Sequence, residues 1–347
     1  SILYEGLSYQ GNPMNTFAYY STPGLVTGDR SKDKDLPAVV LIHSWGSSAT
    51  PQWVELWARR GYAAISMDLN GLGPDRKRLD NAGPPAQDYM SDVWNYHGLA
   101  RIVLAHSLIR SFPEVDEDRT AITGVSVGGH LVCSVIGIDT RFKAAVPVYG
   151  CGFLHEIDNW IESDTYRSLS EKQKSLWKEM YDPSNFIGYA HTHVLFIAGT
   201  NDNFYPLDKL VKTYKLFPGE KDFLIFPSMP HDFTFGVNLP EVAVFIEAHL
   251  RKGTPLASFS SIRTVGDEIH ADCAAGLKLS RAYLHYTTDS GSYVNRRWRS
   301  REARIQGKDI IVSRPKKPYN AWFLTVTDTR NCTVSSEIFF AGKESKL

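Results

Sequence analysis

Short β-branched apolar runs alternate with stretches of helical spacing through the first two-thirds of the chain. The runs fall at 38–43, 63–68, 120–125, 144–148, 194–198 and 223–226, and the helical stretches at 52–60, 89–111, 127–138 and 207–217. Continuous Val/Ile runs predict strands covered on both faces. Strands alternating with helices predict a mostly parallel, doubly wound sheet, an α/β fold. Ahead of it, 3–9 and 16–21 read as a hairpin turning at Gly11-Asn12-Pro13. The stretch 238–251 reads as an amphipathic helix with Val242, Phe245, Ile246 and Leu250 on one side, stopped by Gly253-Thr254-Pro255.

Beyond that stop the period changes. Strand-like runs recur at 262–269, 281–286, 310–313, 321–327 and 334–340, with no long helical pattern among them. This spacing predicts a small all-β sandwich. The expected division is therefore 1–252 and 256–347. Residues 152–190 form a long insertion between two strands, rich in aromatic and charged side chains, and read either as a cap over the sheet top or as a purely structural helix pair.

Composition narrows the function. The chain has 347 residues with 38 basic and 38 acidic side chains, a balance that calls for neither nucleic acid nor an anionic membrane as partner. No apolar run approaches the ~20 residues of a transmembrane helix. Ser1-Ile2-Leu3-Tyr4-Glu5 does not read as a signal peptide, and a signal removed by processing leaves no trace. The four cysteines, Cys133, Cys151, Cys273 and Cys332, show no metal-ligand spacing. Cys273 and Cys332, at the ends of expected strands in a small domain that gains from a staple, are expected to pair. Cys133 and Cys151 are expected to stay reduced.

The chemistry centres on Gly124-Val125-Ser126-Val127-Gly128-Gly129, a G-x-S-x-G pattern where a strand turns into a helix. The glycines permit a turn too tight for side chains beside the serine, and the helix N-terminus offers N–H groups to a developing oxyanion. Such a serine needs a base, and the base needs an orienting acid. Of the histidines after Ser126, His231 lies in the loop after the last strand of the sheet, in Pro230-His231-Asp232. His249 falls inside the closing helix, His270 and His285 in the β region, and His191-Thr192-His193 at the wrong end of a strand. Asp202, in Gly199-Thr200-Asn201-Asp202, is the carboxylate placed after the preceding strand. Asp208 reads as first-turn helix charge, and Asp232 as a loop residue. The oxyanion donors are expected to be the backbone N–H groups of Val127 and Trp45. His43, Ser44, Trp160 and Trp177 are candidates for the substrate pocket. Arg296-Arg297-Trp298-Arg299 reads as a solvated strand, an interdomain contact or an anionic-sugar site.

His43-Ser44-Trp45-Gly46, the serine turn, Gly199-Thr200-Asn201-Asp202 and Pro230-His231-Asp232 together resemble the α/β-hydrolase superfamily, in its acetyl xylan esterase-like and dienelactone hydrolase-like branch. The resemblance covers about residues 35–251. It implies nucleophile, acid and base at Ser126, Asp202 and His231, and oxyanion donors at Val127 and Trp45. Two positions depart from the pattern. Ser44 stands where the family usually has glycine, and dienelactone hydrolases proper use cysteine where this chain has Ser126. The tail resembles a fibronectin- or immunoglobulin-like sandwich, and similar tails follow some exported bacterial hydrolases, which implies an extracytoplasmic protein.

The expected function is a serine carboxylic-ester hydrolase (acetyl esterase type) acting on a small-molecule or carbohydrate ester through an acyl-enzyme, with no metal or organic cofactor. The rivals are a serine peptidase of the same fold and a non-catalytic carbohydrate-binding protein with a vestigial hydrolase domain.

Overall fold

A computed structural model describes residues 1–9, 12–77, 79, 92–232 and 235–341. Eight strands build the first part: β1 (Ile2–Glu5), β2 (Asn15–Ser21), β3 (Leu36–Ile42), β4 (Ala63–Met67), β5 (Val115–Val125), β6 (Ala144–Val148), β7 (His193–Gly199) and β8 (Lys221–Phe226). Their order across the sheet is β1-β2-β4-β3-β5-β6-β7-β8. Pairing is parallel from β4 to β8, with β1 and β2 antiparallel at one edge. This is an α/β-hydrolase sheet. Every residue of β3, β4 and β6 is buried, as strands covered on both faces require.

The helices supply that cover. Pro51–Arg59 begins on a proline, whose missing N–H costs nothing in the first turn, and buries Trp53, Val54, Trp57 and Ala58 at helical spacing. Val127–Ile138 is apolar almost all round and lies in the core from Gly128 to Ile136. The helix expected at 89–111 runs over Asp92–Arg110; its expected start, like Gly11 of the first turn, lies outside the described residues.

The C-terminal runs were less evenly legible. The run 262–269 is two strands, β9 (Ser258–Val265) and β10 (Glu268–Ala274), reversed at Gly266, whose φ of +58° suits glycine. Then follow β11 (Leu279–Thr287), β12 (Arg299–Glu302), β13 (Arg304–Gln306), β14 (Asp309–Ser313), β15 (Ala321–Asp328), β16 (Thr333–Ser335) and β17 (Phe339–Phe340). The run 334–340 is thus split, and the arginine-rich β12 and β13 had no apolar signal to mark them. Strands β13-β14-β10-β9 form a sheet of their own. The others do not form a separate one. β16 bridges to β8 through Ser335 and Phe223, and β15, β11 and β12 continue the central sheet beyond it. Ser335 Oγ accepts from Ile225 N–H at 2.8 Å, strengthening this short bridge.

The expected disulfide is absent. All four cysteines are free and buried, and burial pushes the Cys273 and Cys332 thiols up to about 11. Each packs as a small apolar side chain.

The insertion 152–190 is a series of short helices around Glu171–Tyr181, which starts on a capping box of Ser170 and Gln173. Its anchor is Asp182, fully buried, which accepts N–H bonds from Phe153, Leu154 and Ser184. Burial would raise this carboxyl, but these bonds and His155 outweigh it and hold it at about 2. Glu156 pairs with Lys212 at 2.6 Å and Lys209 at 3.2 Å, fixing the insertion to the helix Leu207–Leu216.

Candidate active site

The site lies at the C-terminal ends of β5, β7 and β8. Ser126 sits between β5 and the helix Val127–Ile138 with φ +60° and ψ −118°, a strained conformation for a non-glycine residue. The strain is locked in by close backbone approach. A Cβ on Gly128 would meet Ile42 O at 2.2 Å, and one on Gly124 would meet Gly128 O at 2.5 Å. Only glycine lets the turn fit against β3.

His231 Nε2 lies 3.0 Å from Ser126 Oγ. His231 Nδ1 lies 2.7 Å from Asp202 Oδ2. The carboxylate can only accept, so Nδ1 carries the proton and Nε2 is left to accept from the serine hydroxyl. Asp202 Oδ1 accepts from the Phe204 and Tyr205 N–H groups, each at 2.8 Å. Asp202 is thus held by its own turn on one oxygen and by His231 on the other. Asp232 Oδ1 instead accepts from Phe235 N–H at 3.0 Å. The ring chain is well enclosed: Ser126 is 3% exposed, and the side chains of His231 and Asp202 are 2% and 1% exposed.

Val127 is the first residue of its helix, so its N–H has no acceptor within the helix. Trp45 lies in a turn closed by Ser47 N–H on Ser44 O at 3.3 Å. His43 holds that turn from below. Its Nε2 accepts from Leu69 N–H at 3.0 Å, which leaves Nδ1–H to donate to Ser44 O at 2.9 Å. Burial lowers the pKa of His43, against the nearby Asp68, and keeps the ring neutral as this pairing demands.

The pocket candidates divide. His43 is 6% exposed with both ring nitrogens engaged, so it is a scaffold for the loop rather than a surface for substrate. Ser44 is equally buried and its Oγ has no hydrogen-bond partner among the described residues. Trp177 is 1% exposed and packs in the core, with Trp160 against it at 5.3 Å between ring centroids. Trp177 offers no face to a sugar ring, because its helix turns that side inward. Of Arg296-Arg297-Trp298-Arg299, Arg296 makes a contact between the two parts of the chain, its carbonyl accepting from Asn201 Nδ2 at 2.9 Å, while Arg297 and Arg299 are exposed.

Three residues that the sequence did not single out surround His231. The Phe204 ring lies 4.9 Å from it, half-exposed; Tyr149 lies 5.6 Å away, edge-on; Tyr205 lies 5.8 Å away. Tyr149 has φ +58° just after β6, and burial pushes its phenol well above the usual range. A signal existed for Phe204 and Tyr205, since both follow Asp202 in the same turn.

Residues 22–248 match the family model described as acetyl xylan esterase (AXE1). The chain belongs to the acetyl xylan esterase family. Among curated relatives of this family member is acetyl esterase Axe7A of Xylanibacter ruminicola, 24% identical over 210 residues, which are 55% of this chain and 48% of the relative. The chain thus spans about half the length of that relative. Among solved structures, an acetyl xylan esterase from a Paenibacillus species has 22% identity and a TM-score of 0.55, over 72% of this chain and 83% of its own. A puromycin-hydrolyzing peptidase of Mycobacterium tuberculosis has 18% identity and a TM-score of 0.52, over 72% of this chain and 40% of its own. At these identities the structural likeness is one of fold. For an acetyl xylan esterase family member, no described helix is long and apolar enough to cross a membrane.

Proposed function

We propose that this protein is a serine carboxylic-ester hydrolase that removes short acyl groups, acetyl above all, from a carbohydrate or similar polar alcohol. The observation that carries the reading is the unbroken line from Ser126 Oγ through His231 to Asp202, at 3.0 and 2.7 Å. His231 Nε2 takes the serine proton as Oγ attacks the ester carbonyl. The oxyanion that forms is held by the N–H groups of Val127 and Trp45. Collapse expels the alcohol, which His231 protonates, and leaves an acyl-enzyme. Water, deprotonated by the same histidine, then releases the acid and restores Ser126.

The family name and the acetyl esterase relative support acetyl as the acyl group. The insertion 152–190 supports a polar substrate over a lipid, since its surface carries charge where a lipase lid would be apolar. Residues 1–252 act in this reading as the catalytic domain with 152–190 as its cap, and 256–347 as a β-sandwich attached to it. The extracytoplasmic location expected from the tail belongs to the same proposal.

Nitrophenyl esters of graded acyl length test it. Each methylene forced into a closed acyl pocket costs on the order of 1–3 kcal/mol. Acetate should exceed butyrate, octanoate should be negligible, and Ser126→Ala should abolish all of them. Octanoyl esters cleaved faster than acetyl would refute the short-acyl reading. A peptide anilide cleaved faster than any ester would move the protein to the peptidases, with the same three residues in the same roles.

A further inference from the structure

The two parts of the chain meet at the acid turn as well as at the β8–β16 bridge. The loop between β11 and β12 reaches across to Asn201, the neighbour of Asp202. Asn201 Nδ2 donates to Val294 O at 2.7 Å and to Arg296 O at 2.9 Å. Its Oδ1 accepts from Thr200 Oγ1 at 2.7 Å, and that hydroxyl oxygen accepts from Ser228 N–H at 2.7 Å. The Asn201 N–H donates to Met229 O at 3.0 Å. One residue therefore joins three segments: the C-terminal loop, the turn carrying Asp202 and the turn leading into His231.

The loop that receives Asn201 is built stiff. Arg296 is 9% exposed, its guanidinium lies 3.8 Å over the Tyr293 ring, and its Nε–H donates to Gly291 O at 3.0 Å. Asp289 accepts from Arg297 N–H at 2.9 Å and closes the other side of the loop. A polar network with its members paired in this way fixes one geometry rather than several.

We propose that Asn201 is a positioning residue, through which the C-terminal β region holds the Asp202 turn in register with His231. The proposal rests on the reading of Ser126, His231 and Asp202 as a catalytic triad. Asp202 is held within its turn by the N–H groups of Phe204 and Tyr205, but those bonds move with the turn. Two ties fix the turn to something outside it: Asn159 Nδ2, from the insertion, donates to Asn203 O at 2.7 Å, and Asn201 is the one that reaches the C-terminal region. A displacement of about 1 Å in such a constellation can cost 10²-fold in rate.

The experiment is steady-state kinetics on p-nitrophenyl acetate with Asn201→Ala, Asn201→Asp, Arg296→Lys and Arg330→Ala, with Tm measured for each. Asn201→Asp keeps the shape but turns an acceptor towards two carbonyls. Arg296→Lys loosens the loop from the far side while leaving Asn201 intact. Arg330→Ala is the structural control: it breaks a contact of the C-terminal region with the linker, away from the Asp202 turn, Arg330 to Thr254 O at 2.8 Å and Pro255 O at 2.9 Å. Both Asn201 variants should lose ten- to a hundredfold in kcat with KM within twofold, and Arg296→Lys at least threefold. Arg330→Ala should lower Tm yet keep kcat within twofold. Asn201 variants within twofold of wild-type kcat, or an equal kcat loss in Arg330→Ala, would overturn the proposal. If the Asn201 variants do not fold, Arg296→Lys decides by the same threefold threshold. Ser126→Ala, assayed alongside, separates the two readings. Activity in it sinks the triad itself, whereas an inactive Ser126→Ala beside unaffected Asn201 variants sinks only the role of Asn201.

Discussion

Substituting Asp202 by Asn isolates what the acid does. The aspartate accepts three hydrogen bonds: two from backbone N–H at 2.8 Å on Oδ1 and one from His231 at 2.7 Å on Oδ2. In Asp202→Asn the amide oxygen is retained by the two N–H donors, because turning the amide group towards them would oppose donors to donors. The NH2 group then faces His231 Nδ1, which must accept. Nδ1 loses its proton, Nε2 gains it, and the ring presents a donor to Ser126 where it must present an acceptor. The serine has no base in that tautomer, and kcat should fall about 10³- to 10⁴-fold, some 4–5.5 kcal/mol of barrier. The fold should hold, since the two turn bonds survive. Asp202→Ala differs in this respect: it removes the acceptor of the Phe204 and Tyr205 N–H groups, of which the buried Tyr205 one costs about 1–3 kcal/mol, and its loss of activity would mix geometry with unfolding. The assay is single-ester kinetics with thermal unfolding of both variants. Asp202→Asn within tenfold of wild-type kcat at an unchanged Tm would refute the tautomer argument and the role of Asp202 with it.

Other expectations come from burial and packing. Gly128→Ala places a methyl 2.2 Å from Ile42 O; the displaced backbone carries the Trp45 turn, so kcat should fall at least a hundredfold and stability by about 1–3 kcal/mol, and a variant with wild-type kcat and Tm would contradict the packing described. His285 is buried between Ser300 Oγ at 2.8 Å and Thr325 Oγ1 at 2.9 Å, and burial lowers it to about 4 from an ordinary 6.5. Between those values the unfolded chain binds a proton that the folded chain refuses, so stability falls as pH drops through the window, by up to about 3 kcal/mol. Urea unfolding at pH 7 and pH 4.5 should show a smaller loss for His285→Gln than for wild type, and equal losses would remove His285 as a cause.

How far the sequence disclosed this molecule depended on how local the signal was. The parallel strands were legible because burial on both faces leaves only apolar side chains, as in β3, where all seven residues are buried. Ser126 was legible because its strained turn admits only glycine at Gly124 and Gly128, and the positions of His231 and Asp202 relative to the strands could be read from the same alternation. Tyr149 was not: a tyrosine after a strand looks the same whether it faces solvent or, as here, packs edge-on to His231. The Cys273–Cys332 pairing failed because strand-end positions do not fix a distance between them.

The hardest feature to read was the relation between the two parts of the chain. A change of period after 253 suggests a separable sandwich, and a separable sandwich would be dispensable to chemistry. The structure joins them by groups that carry no pattern in sequence: a single-residue bridge of Ser335 to Phe223, the Thr333 N–H donating to Glu241 Oε1 at 2.9 Å, and the Asn201 amide on two distant carbonyls. β16 meets β8, the strand that leads to His231, at the Ser335–Phe223 bridge, and Ser335 Oγ takes up the Ile225 N–H that the sheet edge would otherwise leave open. The β region therefore joins the sheet on the side where the turns carrying Asp202 and His231 emerge, and its boundary in sequence is not a boundary in the hydrogen-bond network around them.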